Sequence, residues 1–176
     1  MSYPRETLVA ELRRRGITFL APSDARSPQT LSDPDVIVAV LEQPDTRLHL
    51  ALITLFIRQP HLAQAVSELV EAMPAALALE LQTLYMAAVY LQRLWATRLA
   101  FYLGPLPTLP DLYASSLNLP PADERFGKSG LHALAEAWTA RSAYPFNRLA
   151  SLNKFMDLFF EQLKQESSSY EPTPAG

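Results

Sequence analysis

Few side chains in this sequence have both the type and the spacing that catalysis requires. Arg125 and His132 lie close together in the chain, near a predicted helix start. The imidazole of His132 could exchange a proton with a ribose hydroxyl while the guanidinium of Arg125 stabilises phosphate charge. A single arginine and a single histidine at so loose a spacing occur by chance in many chains. We therefore rank a helical ribonuclease, with Arg125 and His132 as weak catalytic candidates, third among three functions.

Residues 122–129 match a relaxed phosphate-binding-loop pattern that ends in Gly-Lys-Ser. Such a loop follows a buried strand and turns its backbone N–H groups toward the phosphates. Here Pro120 and Pro121 precede the pattern, which excludes a central strand. Asp123 and Glu124 would also place negative charge where the phosphates must lie. We interpret the segment as a loop that leads into a helix.

Metal and covalent chemistry have little support in the sequence. None of the three histidines, His49, His61 and His132, has the spacing that puts two ligands on one helix face. The chain contains no cysteine, which excludes disulfides, thiolate nucleophiles and cysteine-based zinc sites. No Gly-x-Ser-x-Gly elbow is present, and no carboxylate pair stands in an apolar setting that would separate two pKa values. We expect no metal, no cofactor and a non-catalytic protein.

The longest predicted element is a helix over residues 74–103. Pro74 stands at its start, and Gly104 and Pro105 follow its end. A helix of this extent would be about 45 Å long. Its middle, residues 84–91, is apolar on every side apart from two phenol hydroxyls, which is typical of a helix buried all round. We predict an all-α, single-domain irregular bundle of six to eight helices around this long central helix.

Proline and glycine punctuation divides the rest of the chain into shorter predicted helices. The β-branched run 36–41 follows a capping-box pattern at Ser32 and Asp35 and could be helix or strand. We favour helix, because residues 17–20 offer the only partner strand and a two-stranded ribbon is marginal. The helical domain is expected to span 1–166, with a disordered tail at 167–176. The other predicted helices are 4–15, 46–59, 61–73, 111–117, 131–141 and 148–166.

Composition limits the function classes. The chain has 176 residues, 49% of them hydrophobic and 19% charged, which is typical of one globular domain. Eighteen acidic against fifteen basic residues give a net charge of −3, whereas a nucleic-acid binder normally carries a basic excess. We see no secretory signal and no apolar run of about 20 residues that could span a membrane. We expect a soluble cytoplasmic protein of bacterial type, with no membrane or nucleic-acid partner.

The binding candidates all lie on the predicted long helix. Aromatic residues and arginines are enriched at interface hot spots, although their commoner role is to fill the core with their polar ends satisfied inside. Our first hypothesis is an interaction or regulatory module for a protein partner, such as an operon-encoded enzyme that it regulates or neutralises, or for a second copy in a homodimer. The second is a small-molecule-binding module with a pocket beside the central helix. The candidate residues are Tyr85, Tyr90, Arg93, Trp95, Arg98 and Tyr102.

Overall fold

Eight α-helices form the described part of the chain, which a computed structural model defines for residues 2–20, 30–143 and 147–169. No strand is present in these ranges, so the predicted all-α class is confirmed. Short 3₁₀ turns at Pro60–Leu62 and Glu124–Gly127 precede two of the helices. The helices are α1 (Arg5–Arg14), α2 (Asp33–Glu42), α3 (Thr46–Arg58), α4 (Ala63–Ala72), α5 (Ala75–Leu94), α6 (Ala96–Leu103), α7 (Lys128–Arg141) and α8 (Arg148–Ser168).

Three of the helices begin at residues whose side chains cap the first turn. The side chains of Ser32, Asp45 and Asn147 each accept a hydrogen bond from a backbone N–H in the first turn of α2, α3 and α8. Such a cap stabilises a helix by about 1 kcal/mol, because it satisfies a donor that has no partner within the helix. The ambiguous run 36–41 lies in α2 and is helical, as we favoured.

The central helix of the bundle is α5. It packs against α3, α4 and α7, and every residue from 83 to 92 is buried. A helix in this position has no face that is free for water, which accounts for its apolar sequence on every side. The predicted bundle around a long central helix is therefore confirmed.

The predicted helix 74–103 is interrupted at one residue. The backbone leaves the helical region at Trp95, where φ is −108° and ψ is 21°, and this residue separates α5 from α6. The ring of Trp95 packs on Phe160 of α8 with 5.7 Å between ring centroids, and Tyr102 packs on the same ring at 6.3 Å. No proline or glycine marks the interruption, so it carries none of the signals by which helix breaks are usually recognised.

Smaller differences from the predicted boundaries occur in the second half of the chain. Residues 114–118 form a turn where we expected a helix over 111–117. Helix α7 begins at Lys128, earlier than predicted, and α8 continues to Ser168, past the expected start of the tail. The remainder of that tail, residues 170–176, lies outside the described residues.

Candidate functional site

Two buried phenols hold the connector, residues 105–127, which joins α6 to α7. The hydroxyl of Tyr85 donates a hydrogen bond to the carbonyl of Pro110 at 2.7 Å, and that of Tyr90 donates to the carbonyl of Pro120 at 2.8 Å. Both tyrosines have an exposed fraction of 0%. These two candidates for ligand or partner binding therefore contact the chain itself and present no surface.

Gln92 and Arg93 of α5 also form hydrogen bonds with the connector. The amide of Gln92 donates to the carbonyl of Pro107 at 3.0 Å and accepts from the N–H of Leu109 at 2.7 Å. Arg93 donates to the carbonyl of Leu109 at 3.0 Å and to a carboxylate oxygen of Asp123 at 2.7 Å. A proline-rich segment lacks many of its own donors, and buried carbonyls need partners. The side chains of α5 supply them.

The turn before α7 is closed tightly over Tyr90. Gly127 has a φ of +87°, and a Cβ atom added there would lie 2.4 Å from the carbonyl oxygen of Tyr90. A Cβ atom at Gly130 would lie 1.9 Å from a ring carbon of Tyr90. Both distances are far below van der Waals contact, so only glycine fits at these positions. The backbone and the ring of Tyr90 thus lie directly against the first turn of α7.

Burial keeps the connector phenols protonated. It raises the pKa of Tyr85 well above the ordinary value of 10.0, and Tyr113 adds to the effect while Arg93 opposes it. Burial also raises the pKa of Tyr90, with a further contribution from Asp111. Removal of a phenolic proton would place a charge in an apolar interior. These hydroxyls therefore act as hydrogen-bond donors and are unsuited to acid–base catalysis near neutral pH.

The remaining candidates lie on or next to α6, where the environment is different. The guanidinium carbon of Arg98 lies 4.0 Å from the centroid of the Phe160 ring, the same ring that Trp95 and Tyr102 contact. Arg98 is exposed, and no carboxylate of the described residues lies within 4.0 Å of it. Leu99 is the only residue of α6 that is buried. Most of this helix is therefore accessible.

Phe101, which the sequence analysis did not select, is the most exposed aromatic residue of α6. Its exposed fraction is 80%, and its ring lies 5.0 Å from that of Tyr102. Phe101 follows Arg98 by three positions, so the two side chains share one side of the helix. Leu99 is two positions away, about 200° around the axis at 3.6 residues per turn. Once Leu99 faces the core, Phe101 must face outward, and this spacing is the signal that could have identified it.

We name the exposed side of α6 that consists of Thr97, Arg98 and Phe101 the α6 face. It carries one positive charge, one large apolar ring and no acidic group. These three residues lie at i, i+1 and i+4, where side chains of a helix form one continuous patch. Of the six predicted binding residues only Arg98 belongs to the α6 face, and Thr97 and Phe101 were not selected from the sequence.

Arg125 and His132 lie in different surroundings. Arg125 lies in the turn before α7, exposed, with a left-handed φ of 49°. His132 is exposed on α7 and lines a groove of about 600 Å³ together with Glu136 and Arg148. Arg125 is not among the described residues that line this groove. Only one of the two weak catalytic candidates therefore lines the groove.

Residues 122–129 form the entry to α7. The carboxylate of Asp123 is held by Arg93, and the 3₁₀ turn that follows leads directly into the helix at Lys128. No strand precedes the turn in the described chain. This arrangement agrees with our interpretation of the segment as a helix-initiating loop.

The described residues contain no group of three His, Asp or Glu side chains placed to hold a metal ion. No helix among them has the length and apolarity needed to cross a bilayer.

Comparison with known proteins leaves the function open. The chain matches no protein family, no curated protein and no solved structure. Function must therefore be argued from the side chains of this chain alone, and from which of them are accessible.

Proposed function

We propose that this chain is a non-catalytic interaction module that binds a protein partner through the α6 face. The observation that carries the proposal is Phe101, which is 80% exposed on a helix anchored to the core by its opposite side. Transfer of a phenylalanine side chain from water into an apolar pocket contributes about 1.5–3 kcal/mol. An exposed aromatic ring beside an arginine has the composition of an interface hot spot.

Arg98 defines the chemistry of the partner. Its guanidinium rests on the Phe160 ring, 4.0 Å from the centroid, so less side-chain freedom is lost when it binds. Helix α6 contains no acidic residue that could neutralise it. A complementary partner therefore presents a carboxylate next to an apolar pocket. The partner class that we propose is an enzyme that this module regulates or neutralises.

The alternative functions have weaker support. A small-molecule pocket at Tyr85, Tyr90 and Arg93 would compete with the connector, which occupies the polar ends of all three. Arg93 does line a cavity of about 250 Å³ next to α6, so this function ranks second. A ribonuclease ranks third, because only His132 of its two proposed catalytic side chains lines the groove beside α7.

The test begins with the identity of the partner. Native mass spectrometry of the protein purified from its own cells reports a bound protein, its stoichiometry and any ligand. Calorimetric titration with the identified partner then compares Phe101→Ala with Phe126→Ala, a matched control because both phenylalanines are 80% exposed. We expect Phe101→Ala to raise Kd by about tenfold or more, which corresponds to about 1.4 kcal/mol. Phe126→Ala should leave Kd unchanged.

A charge reversal provides an independent readout. Arg98→Glu should abolish a complex in which the partner contributes a carboxylate, because two like charges would then meet. Equal loss in both phenylalanine variants would place the contact outside the α6 face. A homodimer that dissociates on Phe101→Ala would identify a second copy as the partner. A protein that is monomeric and without a partner would contradict the proposal.

A further inference from the structure

A polar cavity lies apart from the α6 face, where the end of α7 and the start of α8 meet α3 and α5. Its volume is about 420 Å³, within the range of small-molecule sites. The charged side chains among its described lining residues are His49, Glu80, Arg141 and Arg148. They come from four helices that are distant in the sequence. None of these four residues was a binding candidate in the sequence, because only the packing of the helices brings them together.

Arg148 is held in a fixed position on one wall of the cavity. Its guanidinium carbon lies 4.5 Å from the centroid of the Trp138 ring, and Nη2 donates a hydrogen bond to the hydroxyl of Ser142 at 3.1 Å. Burial lowers the pKa of Arg148 below the ordinary 12.5, an effect that Glu80 opposes and Arg141 reinforces. Glu80 and Arg141 therefore both lie near enough to act on the charge of Arg148.

Arg141 is anchored by a neutral group. Its Nη2 donates to the hydroxyl of Thr83 in α5 at 2.8 Å. No carboxylate of the described residues lies within 4.0 Å of this guanidinium, and the side chain is exposed. A guanidinium has five N–H donors, so a single hydroxyl leaves most of them available. Arg141 therefore lies at the solvent-exposed side of the cavity, with N–H donors available for a ligand.

Glu80 is the one carboxylate among these described lining residues. Its Oε1 lies 3.7 Å from Nδ1 of His49. Nε2 of His49 is 2.7 Å from the carbonyl of Gln43 and must donate to it, because a carbonyl only accepts. Arg141, Arg148 and Glu80 thus give the described lining two basic groups and one acidic group.

We propose that this cavity binds a small anionic molecule whose carboxylate or phosphate group is held between Arg141 and Arg148. The planar guanidinium fork matches the paired oxygens of either group. Leu79 and Trp138 also line the cavity and would contact an apolar part of the ligand. This site is independent of the α6 face, so a failure of either proposal leaves the other standing.

Four probes separate the two anion classes and the apolar contribution. Calorimetric titration of the full chain uses inorganic phosphate, phenyl phosphate, acetate and benzoate. We expect the ring-bearing probe of the preferred class to bind more tightly than its simple counterpart, because Leu79 and Trp138 contact the ring. Preference for phenyl phosphate or for benzoate identifies the anionic group. A wild-type protein that binds none of the four at millimolar concentration overturns the proposal.

Matched variants locate the binding. Arg141→Gln should raise Kd for the preferred probe by about tenfold or more, because it removes a charged hydrogen-bond donor from the anion. Arg13→Gln makes the same change in net charge at an exposed arginine of α1 and should leave Kd unchanged. Equal weakening in both variants would indicate a nonspecific charge effect and would overturn the assignment.

Glu80→Gln tests the site in the opposite direction, because it should lower Kd instead of raising it. It removes the carboxylate that competes with the anion and keeps the size of the side chain, so the preferred probe should bind several-fold more tightly. Damage to the cavity would weaken binding, so a tighter complex has no trivial structural explanation. Weaker or unchanged binding in Glu80→Gln contradicts an anion held opposite this carboxylate.

Discussion

The α5 segment with Tyr85, Tyr90 and Arg93 and the α6 segment with Arg98 and Phe101 have the same residue types but different surroundings. The connector covers the α5 side chains and accepts their hydrogen bonds. Nothing in the described chain covers Phe101. The same mixture of aromatic residues and arginine therefore stabilises the fold in one segment and is accessible to another molecule in the next. Composition identifies candidates, and the presence of a covering segment separates core from surface.

This difference follows from the polar partners available to each segment. Prolines leave the connector with carbonyls that lack helical partners, and the phenols, amide and guanidinium of α5 satisfy them. On α6 the guanidinium of Arg98 lies on an aromatic ring. We therefore expect substitutions on α5 to act on the free energy of unfolding, and substitutions on the α6 face to act on binding.

The largest expected effect is the difference in the free energy of unfolding between alanine variants of Tyr90 and Phe101. Tyr90→Ala should lower the free energy of unfolding by about 3–5 kcal/mol, because a fully buried ring is replaced by a cavity. Phe101→Ala should change it by less than about 0.5 kcal/mol, as for most surface substitutions. Urea unfolding monitored by circular dichroism measures both. Similar losses in the two variants would show that the α6 face is part of the core.

A double-mutant cycle tests the contact between Tyr90 and the start of α7. Alanine is normally a better helix residue than glycine by about 1 kcal/mol. Gly130→Ala should nevertheless destabilise the protein by about 1–3 kcal/mol, because the new methyl group would overlap the Tyr90 ring. In the Tyr90→Ala background the same change should be neutral or stabilising. Equal effects in both backgrounds would exclude the contact.

The smallest expected effect is a pH dependence that the buried phenols impose. Burial raises the folded-state pKa of Tyr85 and Tyr90 above 10.0, whereas the unfolded chain ionises near that value. The unfolded state then releases protons that the folded state retains, so stability falls as pH rises above 10. The loss should reach about 1 kcal/mol for each tyrosine near pH 11.

Urea unfolding between pH 8 and pH 11 measures this dependence. Tyr85→Phe and Tyr90→Phe should each give a shallower decline above pH 10 than the wild type, and Phe101→Ala should keep the wild-type slope. A decline that neither tyrosine substitution alters would contradict the connector contacts.

The accessible part of the site was predictable only in part. Arg98 was selected by residue type and is exposed, whereas Phe101 was missed because its position matters only once Leu99 is known to face the core. Tyr85 and Tyr90 were selected by the same criterion of residue type. The sequence could not show that the connector covers them, because the contacting prolines lie 25 positions after Tyr85 and 30 positions after Tyr90. The cavity of Arg141 and Arg148 left no sequence pattern, since its members come from four helices.

The helical class, the cap at Ser32 and the buried middle of α5 follow from local sequence alone, because each depends on neighbours within a few turns. The interruption at Trp95 depends on tertiary packing, because the rings of Trp95 and Tyr102 both pack on Phe160 of α8. Tertiary packing also decided which polar side chains were covered. Both outcomes depend on contacts between segments distant in the chain, and local hydrogen bonding and periodicity carry no information about them.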